Sequence, residues 1–493
     1  MTAKEKQTIK VPISSFLSDN ENYLKQTVGL GVTFDIGMRK FRILGRDVGV
    51  LFVNGLSDSN LIIHIFEEMV DLNDVEPYGH DEAMTIIENR LIHQQVSRIE
   101  MMDDVMVQVL SGLIIVFVDG EAEAFAVDVR SYPGRTPAEP DTEKVVRGAR
   151  DGFVENIIVN TSLIRRRIRD PRLRHEIIRV GERSKTDICL SYVQDIANPD
   201  LIKIIKQELQ EIEIDGVTMA DKTIEEFLVK QGINPFPLVR YTERPDVAAN
   251  HILEGHVLII IDTSPSVMIT PTTYFHHVQH AEEFRQNPAM GTIFRWVRFL
   301  GIMFSLFLLP LWLVFVLEPT LLPPNLAFIG PSKVTNLPTF LQIILAEVGI
   351  EFLRMASIHT PTALSTSLGL ISAVLIGQTA IQVGLFVPEV ILYSAISVIG
   401  TYATPSYELG LANKVAKIFL ILLTAWLHEI GFMIGLTILI LFLASIRSLQ
   451  TPYLWPFLPF DGGALMKIVV RPKIANLKVR PSIVHPQNTD RTK

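Results

Sequence analysis

The hydrophobic pattern of the chain changes near residue 290. Before this point, short apolar segments alternate with charged ones, which is typical of a mixture of helices and half-buried strands. After it, apolar residues dominate over long segments. We therefore expect an α/β cytoplasmic region of two small subdomains, followed by an α-helical polytopic membrane domain.

The α/β region carries the patterns of two compact subdomains. In the first we expect a strand over Phe41–Asn54, helices over Leu61–Leu72 and Glu82–Gln95, and paired strands over Leu113–Val118 and Glu121–Val127. In the second we expect a helix from Gly152 to Asp170, strands over Thr186–Tyr192 and His256–Asp262, and helices over Pro199–Glu211 and Thr223–Lys230. The expected divisions are a leader at 1–30, subdomains at 31–130 and 144–290, a proline-containing linker at 131–143, a membrane domain at 291–450 and a basic tail at 451–493.

The longest apolar stretch is Ala363–Pro405, which carries one formal charge, Glu389. A helix needs ~20 residues to cross the hydrocarbon core of a membrane. A stretch of this length therefore predicts two spans folded about Gly384–Glu389. The expected spans are 299–317, 363–384, 389–405 and 418–446.

Two segments leave the number of spans open. Residues 341–357 contain Glu347, Glu351 and Arg354, whose charges favour an amphipathic helix at the interface over a full span. Residues 418–446 exceed one span and fall short of two, and we count them as one. If they form two short spans, 341–357 must cross as well to keep both ends on one side. Arg295 and Arg298 precede the first span, which places the α/β region in the cytoplasm.

One face of the span at 363–384 is rich in small and hydroxyl-bearing side chains. Its members follow alternating intervals of four and three residues: Ser365, Gly369, Ser372, Ile376, Thr379 and Val383. Such a face suits either a pore wall or tight helix packing, and the spacing alone does not decide between them. Gln378 and Gln382 place amides on a neighbouring face, which needs a protein partner or water.

His428 and Glu429 are costly groups inside an apolar segment. Together with Asp461-Gly462 they resemble part of an intramembrane zinc protease, but position 432, where the second histidine would lie, is Phe432. We therefore expect no metal site. The pair either forms a polar contact or ion path between helices, or lies solvated near an interface.

Composition and motifs exclude several classes of protein. The net charge of −8 argues against nucleic-acid binding. No phosphate-binding loop or nucleophile elbow is present, so we expect no enzyme. Met1–Gln7 does not have the pattern of a secretory signal, and the single Cys189 excludes an internal disulfide. The arginines near Arg165–Arg174 form either a dock for anionic headgroups or a salt-bridged surface.

Several short motifs resemble the bacterial spore germination A-subunit (GerA-type) family. They are Leu163-Ile164-Arg165-Arg166-Arg167-Ile168-Arg169, Tyr241-Thr242-Glu243-Arg244-Pro245-Asp246, Leu253-Glu254-Gly255-His256-Val257, Ile261-Asp262-Thr263-Ser264-Pro265, Ile376-Gly377-Gln378-Thr379-Ala380 and Thr404-Pro405-Ser406-Tyr407-Glu408. They lie in the family's order and cover about residues 30 to 460. One departure is Glu282-Glu283-Phe284, where many relatives carry an Asp-Tyr-Tyr run.

The resemblance implies a multi-pass protein of the spore inner membrane with both termini on the core side. It implies a homo-oligomer, a pentameric ring, whose membrane domain encloses an ion channel opened during germination. Other germination proteins, including an accessory small membrane protein, would be partners. The family offers no catalytic residue and no cofactor.

The resulting hypothesis is a channel for monovalent cations. In a ring, Ser365, Ser372 and Thr379 would form stacked hydroxyl rings, while Gly369, Ile376 and Val383 would narrow the path. Glu347, Glu351 and Glu389 are the carboxylates available at a mouth. A non-conducting scaffold is the alternative. A secondary transporter ranks third, because no matching inverted halves are visible.

Overall fold

The computed structural model describes residues 11–74, 86–88, 96–131, 143, 145, 147–333, 337–359 and 378–491. The chain divides into two compact units. The first comprises Met1–Lys230, Tyr241–Pro271 and Leu477–Lys493, and the second comprises Gln231–Arg240 and Thr272–Asn476.

The first sheet of the first unit has five strands in the order β1-β2-β4-β5-β3. The elements around it are α1 (Leu17–Thr27), β1 (Ile36–Ile43), β2 (Arg46–Val53), α2 (Ser59–Val70), β3 (Val96–Ile99), α3 (Met102–Val109), β4 (Ile114–Val118) and β5 (Ala124–Val127). Strand β4 is buried on both faces, as its unbroken apolar run predicts. The expected pair of strands β4 and β5 and the expected helix α2 are confirmed, whereas most of the helix expected over 82–95 and most of the linker lie outside the described residues.

A hairpin replaces the single strand expected over residues 41–54. Strands β1 and β2 pair antiparallel and are joined at Leu44-Gly45. Both residues have positive φ, 49° and 80°, as in the turns that best match the twist of paired strands. The prediction was wrong because leucine is an unusual residue for such a turn.

The expected leader is partly wrong as well. Helix α1 buries Leu17 and Leu24, and Val28 just beyond its end is buried too. These residues belong to the core that includes Leu51 and Phe117 of the first sheet. Apolar positions spaced at seven and four residues form one helical face, and this pattern favoured a docked helix over a loose segment.

The second sheet repeats the order of the first, β6-β7-β9-β10-β8. Its elements are α4 (Ile157–Arg167), β6 (Leu173–Val180), β7 (Thr186–Val193), α5 (Pro199–Gln210), α6 (Ala220–Val229), β8 (Arg240–Thr242), α7 (Pro245–Glu254), β9 (Val257–Ile261) and β10 (Val267–Thr270). Strands β7 and β9 and helices α4, α5 and α6 were expected, and β6, β8, β10 and α7 were not.

The second unit consists mainly of helices. They are α8 (Tyr274–Val278), α9 (Ala281–Arg285), α10 (Pro288–Leu317), α11 (Thr339–His359), α12 (Pro388–Tyr402), α13 (Tyr407–Ser445) and α14 (Gly462–Val469). Two of the described helices are long and apolar enough to cross a membrane, α10 with mean hydropathy 2.6 and α13 with 2.1. Their length and composition suit membrane-spanning helices.

Helices α10 to α13 form a bundle with two ends. We call the end where α11 and α12 begin the loop end, and the end where they finish the base end. At the loop end, the Val387 N–H donates to Gln342 Oε1 over 2.9 Å. At the base end, Arg354 Nη1 donates to the Tyr407 hydroxyl over 2.6 Å. Helix α10 therefore runs from base to loop end, while α11 and α12 run from loop to base end. Near the base end α10 and α12 approach closely, because a Cβ on Gly400 would lie 2.1 Å from Gly301 O.

Helix α13 is not one straight helix. His428 interrupts it with φ 53° and ψ −133°. After this residue the chain folds back, since a Cβ on Gly431 would lie 2.0 Å from Leu423 O, and one on Gly435 would lie 2.9 Å from Leu420 Cδ2. This differs from the single span expected over 418–446. The segments before and after His428 form a helical hairpin with its tip at the loop end.

The basic tail expected at 451–493 is folded over most of its described residues. Helix α14 follows an Asp461 cap, whose Oδ1 accepts from the Ala464 N–H over 3.0 Å. Ile483 and Val484 are buried in the first unit, where Val484 lies against Gly255. Apolar residues between the basic positions therefore anchor this segment.

Candidate functional site

The candidate pore face lies mostly outside the described residues. Ser365, Gly369, Ser372 and Ile376 fall in that part of the chain. Thr379 and Val383 are described and both are exposed, Val383 by 68%. The amides of Gln378 and Gln382 are exposed too. The described part of the face therefore points away from its own bundle.

Glu347 does not lie at a mouth but inside the bundle. Its Oε1 lies 2.8 Å from Lys417 Nζ, and each side chain is 1% exposed. Lys417 Nζ also donates to Ser397 Oγ over 3.0 Å, and Ser397 Oγ donates to Ser305 O over 3.1 Å. This contact links α10, α11, α12 and α13.

Glu351 belongs to a second ion-pair group one helical turn along α11. It pairs with Arg354 on its own helix and with Lys414 Nζ of α13, at 2.5 Å. Lys414 Nζ also lies 3.9 Å from Glu347 Oε2. The side chains of Glu351 and Glu347 are thus compensated by cations of the same bundle. The pairing of Glu351 with Arg354, three residues on, follows from helix geometry.

Glu389 is the third candidate carboxylate and lies at the loop end. Its Oε1 accepts from the Ser332 N–H over 3.1 Å, while Oε2 is buried without a hydrogen-bond partner among the described residues. It follows Pro388 in the first turn of α12, where a negative charge is favoured by the helix dipole. Of the three carboxylates, Glu389 has no described ion pair.

His428 and Glu429 meet Glu318 at the tip of the α13 hairpin. His428 Nδ1 lies 2.7 Å from Glu318 Oε1. One ligand atom from each of the three residues lies within 4.8 Å of the others, a spacing that could hold a metal ion. The three side chains are exposed or half-buried. Position 432 is a phenylalanine instead of a histidine, and the third potential ligand is the carboxylate of Glu318, at the end of α10. The arrangement is a polar contact between helices, which is one of the two alternatives.

Several buried polar atoms of the bundle have no hydrogen-bond partner among the described residues. They include Glu347 Oε2, Ser394 Oγ and Thr424 Oγ1, together with Glu389 Oε2 and the side-chain amide of Asn413. Most buried polar groups in proteins are paired, so such atoms on three helices of the bundle are unusual. The sequence pattern did not single out Ser394, Lys414, Ser397 or Lys417.

The missed residues had one detectable signal. Residues 406–417 lie between two of the expected spans, but Leu409, Ala412, Ala416 and Leu420 follow helical spacing and are buried. The helix thus begins at Tyr407, with Ser406 Oγ accepting from the Leu409 N–H over 3.2 Å. On such a helix Lys417 points to the same side as these apolar residues.

Arg295 and Arg298, which precede the first expected span, also form ion pairs. Arg295 and Arg298 both pair with Glu283, whose side chain is buried. Arg295 Nη1 also donates to Lys467 O over 2.7 Å. Glu283, in the segment that departs from the family motif, is therefore the buried counter-ion of helix α10.

Several arginines of the first unit form salt bridges, both in its interior and nearer its surface. Arg165 is fully buried and its Nε lies 2.9 Å from Asp35 Oδ2. Burial opposes ionisation of Asp35, but the charge of Arg165 and the hydrogen bonds from Arg165 and Thr33 together lower the pKa of the carboxyl to about 2. Arg167 pairs with Asp151 at 2.5 Å. These two guanidinium groups are therefore engaged by carboxylates of the same unit.

Two other groups of this core are neutral. Burial lowers the pKa of His175 to about 3, and burial raises the pKa of the Cys189 thiol. His175 Nδ1 shares a hydrogen bond of 2.7 Å with Ser191 Oγ. Cys189 is a buried strand residue, as expected.

Comparisons with known proteins identify the class. The family described as "Bacillus/Clostridium GerA spore germination protein" matches residues 22–483, so the chain belongs to this family and has a role in spore germination. The chain is 61% identical to Stage V sporulation protein AF of Bacillus subtilis (strain 168), over 95% of each chain. It is 28% identical to Spore germination protein KA of the same organism, over 94% of this chain and 85% of that protein.

One solved structure is also similar. It is the crystal structure of the N-terminal domain of the A subunit of the Bacillus megaterium spore germinant receptor GerK3, with 27% identity and a TM-score of 0.43. The match covers 54% of this chain and 98% of that one. The two curated relatives are named as sporulation and germination proteins, and neither as an enzyme.

Proposed function

We propose that the chain is a subunit of an oligomeric ion channel in the spore inner membrane, which releases monovalent cations during germination and amplifies the signal of the germinant receptors. The observation that carries the proposal is the exposure of Thr379 and Val383 on the single chain. Side chains that point away from their own bundle are available to a shared axis, where copies of this face would form a pore. A pentameric ring and an accessory small membrane protein complete the proposed assembly.

The bundle supports an even number of membrane crossings. The α13 hairpin returns the chain to the base end, so its segments before and after His428 would each cross. Helices α10, α11 and α12 supply three more, and the span expected over 363–384 would supply the sixth. Six crossings keep both termini on the core side, as the four expected spans also did.

Crossing by α11 is reasonable because its charges are neutralised. An isolated charge in the centre of a bilayer costs about 2.5–3.5 kcal/mol even on the scale from insertion experiments. Glu347 and Glu351 pair with Lys417 and Lys414 instead of facing lipid. Paired groups inside a bundle avoid most of this cost, which removes the main objection to a span at 341–357.

Ion flux through liposomes tests the channel. Val383→Ala should widen the path and increase rubidium efflux from liposomes that contain the purified protein. Val415→Ala is the matched control, because Val415 is also exposed but lies on α13. Equal flux in wild type, Val383→Ala and protein-free liposomes would contradict the proposal.

A non-conducting scaffold is the alternative function. It is favoured by the same exposed face, since small side chains also allow helices of neighbouring proteins to pack closely. Under this function Thr379→Gln would disturb assembly on a native gel without any change in rubidium flux. Single-channel current steps from the purified protein would exclude it, and would also exclude a secondary transporter.

A further inference from the structure

The contact between Lys417 and Glu347 has the features of an occupied ion site. The ammonium of Lys417 lies 2.8 Å from Glu347 Oε1 and 3.0 Å from Ser397 Oγ. The three side chains come from α11, α12 and α13, and all are buried. The charged group is therefore enclosed by oxygen atoms from three helices.

The residues around the Lys417 ammonium carry more buried oxygen atoms than the ammonium hydrogen-bonds. Glu347 Oε2 and Ser394 Oγ are buried and have no hydrogen-bond partner among the described residues. Ser394 lies one helical turn before Ser397 on α12, so both hydroxyls face the same side of that helix. One carboxylate and two hydroxyls are the hard oxygen ligands that alkali-metal cations prefer.

The local charge balance favours a cation at this position. Lys414 Nζ lies 3.9 Å from Glu347 Oε2, but it is closer to Glu351, at 2.5 Å. Glu351 also forms an ion pair with Arg354. Without the ammonium of Lys417, Glu347 would be a buried carboxylate with no hydrogen-bonded cation among the described residues. Such a group binds a cation or becomes protonated.

We propose that Glu347, Ser394 and Ser397 form a binding site for one dehydrated monovalent cation, and that the Lys417 ammonium fills it as a tethered ion. An ammonium group is a compact point charge, so it can take the place of a potassium-sized ion. While Lys417 is in place the site is closed to free cations. Withdrawal of the lysine opens it. The inference concerns binding and does not depend on whether the protein conducts ions.

Removal of the tethered ion should create a free cation site. The experiment uses the full-length Lys417→Met protein in detergent and follows its melting temperature. KCl replaces choline chloride at constant ionic strength, so that only a small cation can fill the site. We expect the melting temperature to rise with KCl and saturate, by about 3 °C or more, as for any ligand that binds the folded state alone. The wild-type protein should show no such rise.

Two control variants separate binding in this site from general salt effects. Lys414→Met removes a lysine one turn away that mainly serves Glu351, and it should show no saturating response. The double variant Glu347→Gln/Lys417→Met removes the carboxylate as well and should lose the response. Bound rubidium measured by equilibrium dialysis should follow the same order.

The possible outcomes decide the proposal. A saturating potassium response in Lys417→Met that is absent from both controls supports it. An equal response in Lys417→Met and the double variant overturns it, because the carboxylate would then play no part. A Lys417→Met protein that fails to fold in every salt also overturns it, since a free cation would then be unable to replace the ammonium.

Discussion

At the scale of single residues, His428 combines an unfavourable backbone with a polar contact to Glu318. Its φ of 53° and ψ of −133° lie in a region that residues with a Cβ rarely adopt. Such conformations cost of order 1–3 kcal/mol and persist where the surroundings impose them. Here the surroundings are the tight turn of the α13 hairpin and the ion pair with Glu318.

Two substitutions at His428 separate the strain from the ion pair. His428→Ala loses the ion pair and keeps the strained backbone, whereas His428→Gly loses the same ion pair and relieves the strain. We expect the glycine variant to be more stable than the alanine variant by about 1 kcal/mol, measured by thermal unfolding in detergent. An alanine variant as stable as the glycine variant would show that the turn is not strained.

His175 should make stability depend on pH. Its pKa is lowered to about 3 in the folded protein, whereas an unfolded histidine has a pKa of about 6.5. Between these values the unfolded chain binds a proton that the folded protein does not bind. Stability is therefore complete above about pH 6.5 and falls as the pH decreases towards 3, by up to about 1.4 kcal/mol per pH unit.

The His175→Asn variant should flatten this part of the stability profile. The measurement is the melting temperature of wild type and variant between pH 7 and pH 4. Its matched control is His64→Asn, because the His64 side chain is exposed on helix α2. If His175→Asn and His64→Asn changed the profile equally, His175 would not be its cause.

Below pH 4 Asp35 adds to the loss of stability. Its pKa is lowered to about 2 in the folded protein, so it contributes stability only while the carboxyl is ionised.

At the scale of elements, the start of helix α10 depends on one buried carboxylate. Glu283 pairs with both Arg295 and Arg298, and Arg295 in turn donates to carbonyls at Lys467 and Ile468. Glu283→Gln keeps the shape and removes the charge, which leaves two guanidinium groups without compensation. We expect a loss of about 3–5 kcal/mol in stability and weaker protection of α14 against proteolysis.

A half-buried neighbour provides the control for Glu283. Glu282→Gln changes the adjacent carboxylate, whose Oε1 accepts from Gln286 Nε2 over 2.7 Å in a part-buried contact on the same short helix. This variant should lose less than about 1 kcal/mol, because such contacts contribute little. Similar losses in both variants would mean that the short helix, rather than the buried pairing, controls stability.

Elements with a strong local pattern could be predicted from the sequence, and those fixed by tertiary contacts could not. The continuous apolar run of β4 and the capped helix α5 were predictable because each carries its own signal. The β1–β2 hairpin was not, because Leu44 is held at positive φ by the surrounding structure. The break at His428 was not predictable either, because its positive φ is also imposed by the surrounding structure and histidine carries no local turn signal.

The candidate site divides in the same way. The exposed Thr379 and Val383 follow from periodicity, since they continue a face that helical spacing defines. The pairing of Glu347 with Lys417 joins residues 70 positions apart, and only the packing of α11 against α13 brings them together. Spacing along a chain carries no information on such long-range pairs.

At the scale of the whole molecule, the first unit contains the same sheet twice. In each sheet, the first two strands form a hairpin at one edge and the third strand lies at the opposite edge. The fourth and fifth strands form a second hairpin, which lies between the first hairpin and the third strand. The order β1-β2-β4-β5-β3 thus recurs as β6-β7-β9-β10-β8. The common order indicates a repeated subdomain, which the sequence pattern did not reveal because the expected elements covered different parts of each copy.

The α13 hairpin makes a prediction about how the whole chain is threaded through the membrane. Two crossings by α13 place residues 407 and 447 on one side and residue 428 on the other. A single crossing would place 407 and 447 on opposite sides. Because Cys189 is the one cysteine of the chain, Cys189→Ser gives a background for single-cysteine labelling.

Three variants in that background, Tyr407→Cys, His428→Cys and Arg447→Cys, decide between these arrangements. All three positions are exposed on the chain. A maleimide that cannot cross membranes, added to intact and to opened vesicles, reports the side on which each cysteine lies. We expect residues 407 and 447 to be labelled under the same condition and residue 428 under the opposite one. Labelling of 407 and 447 from opposite sides would exclude the hairpin in the membrane and would restore the single span over 418–446.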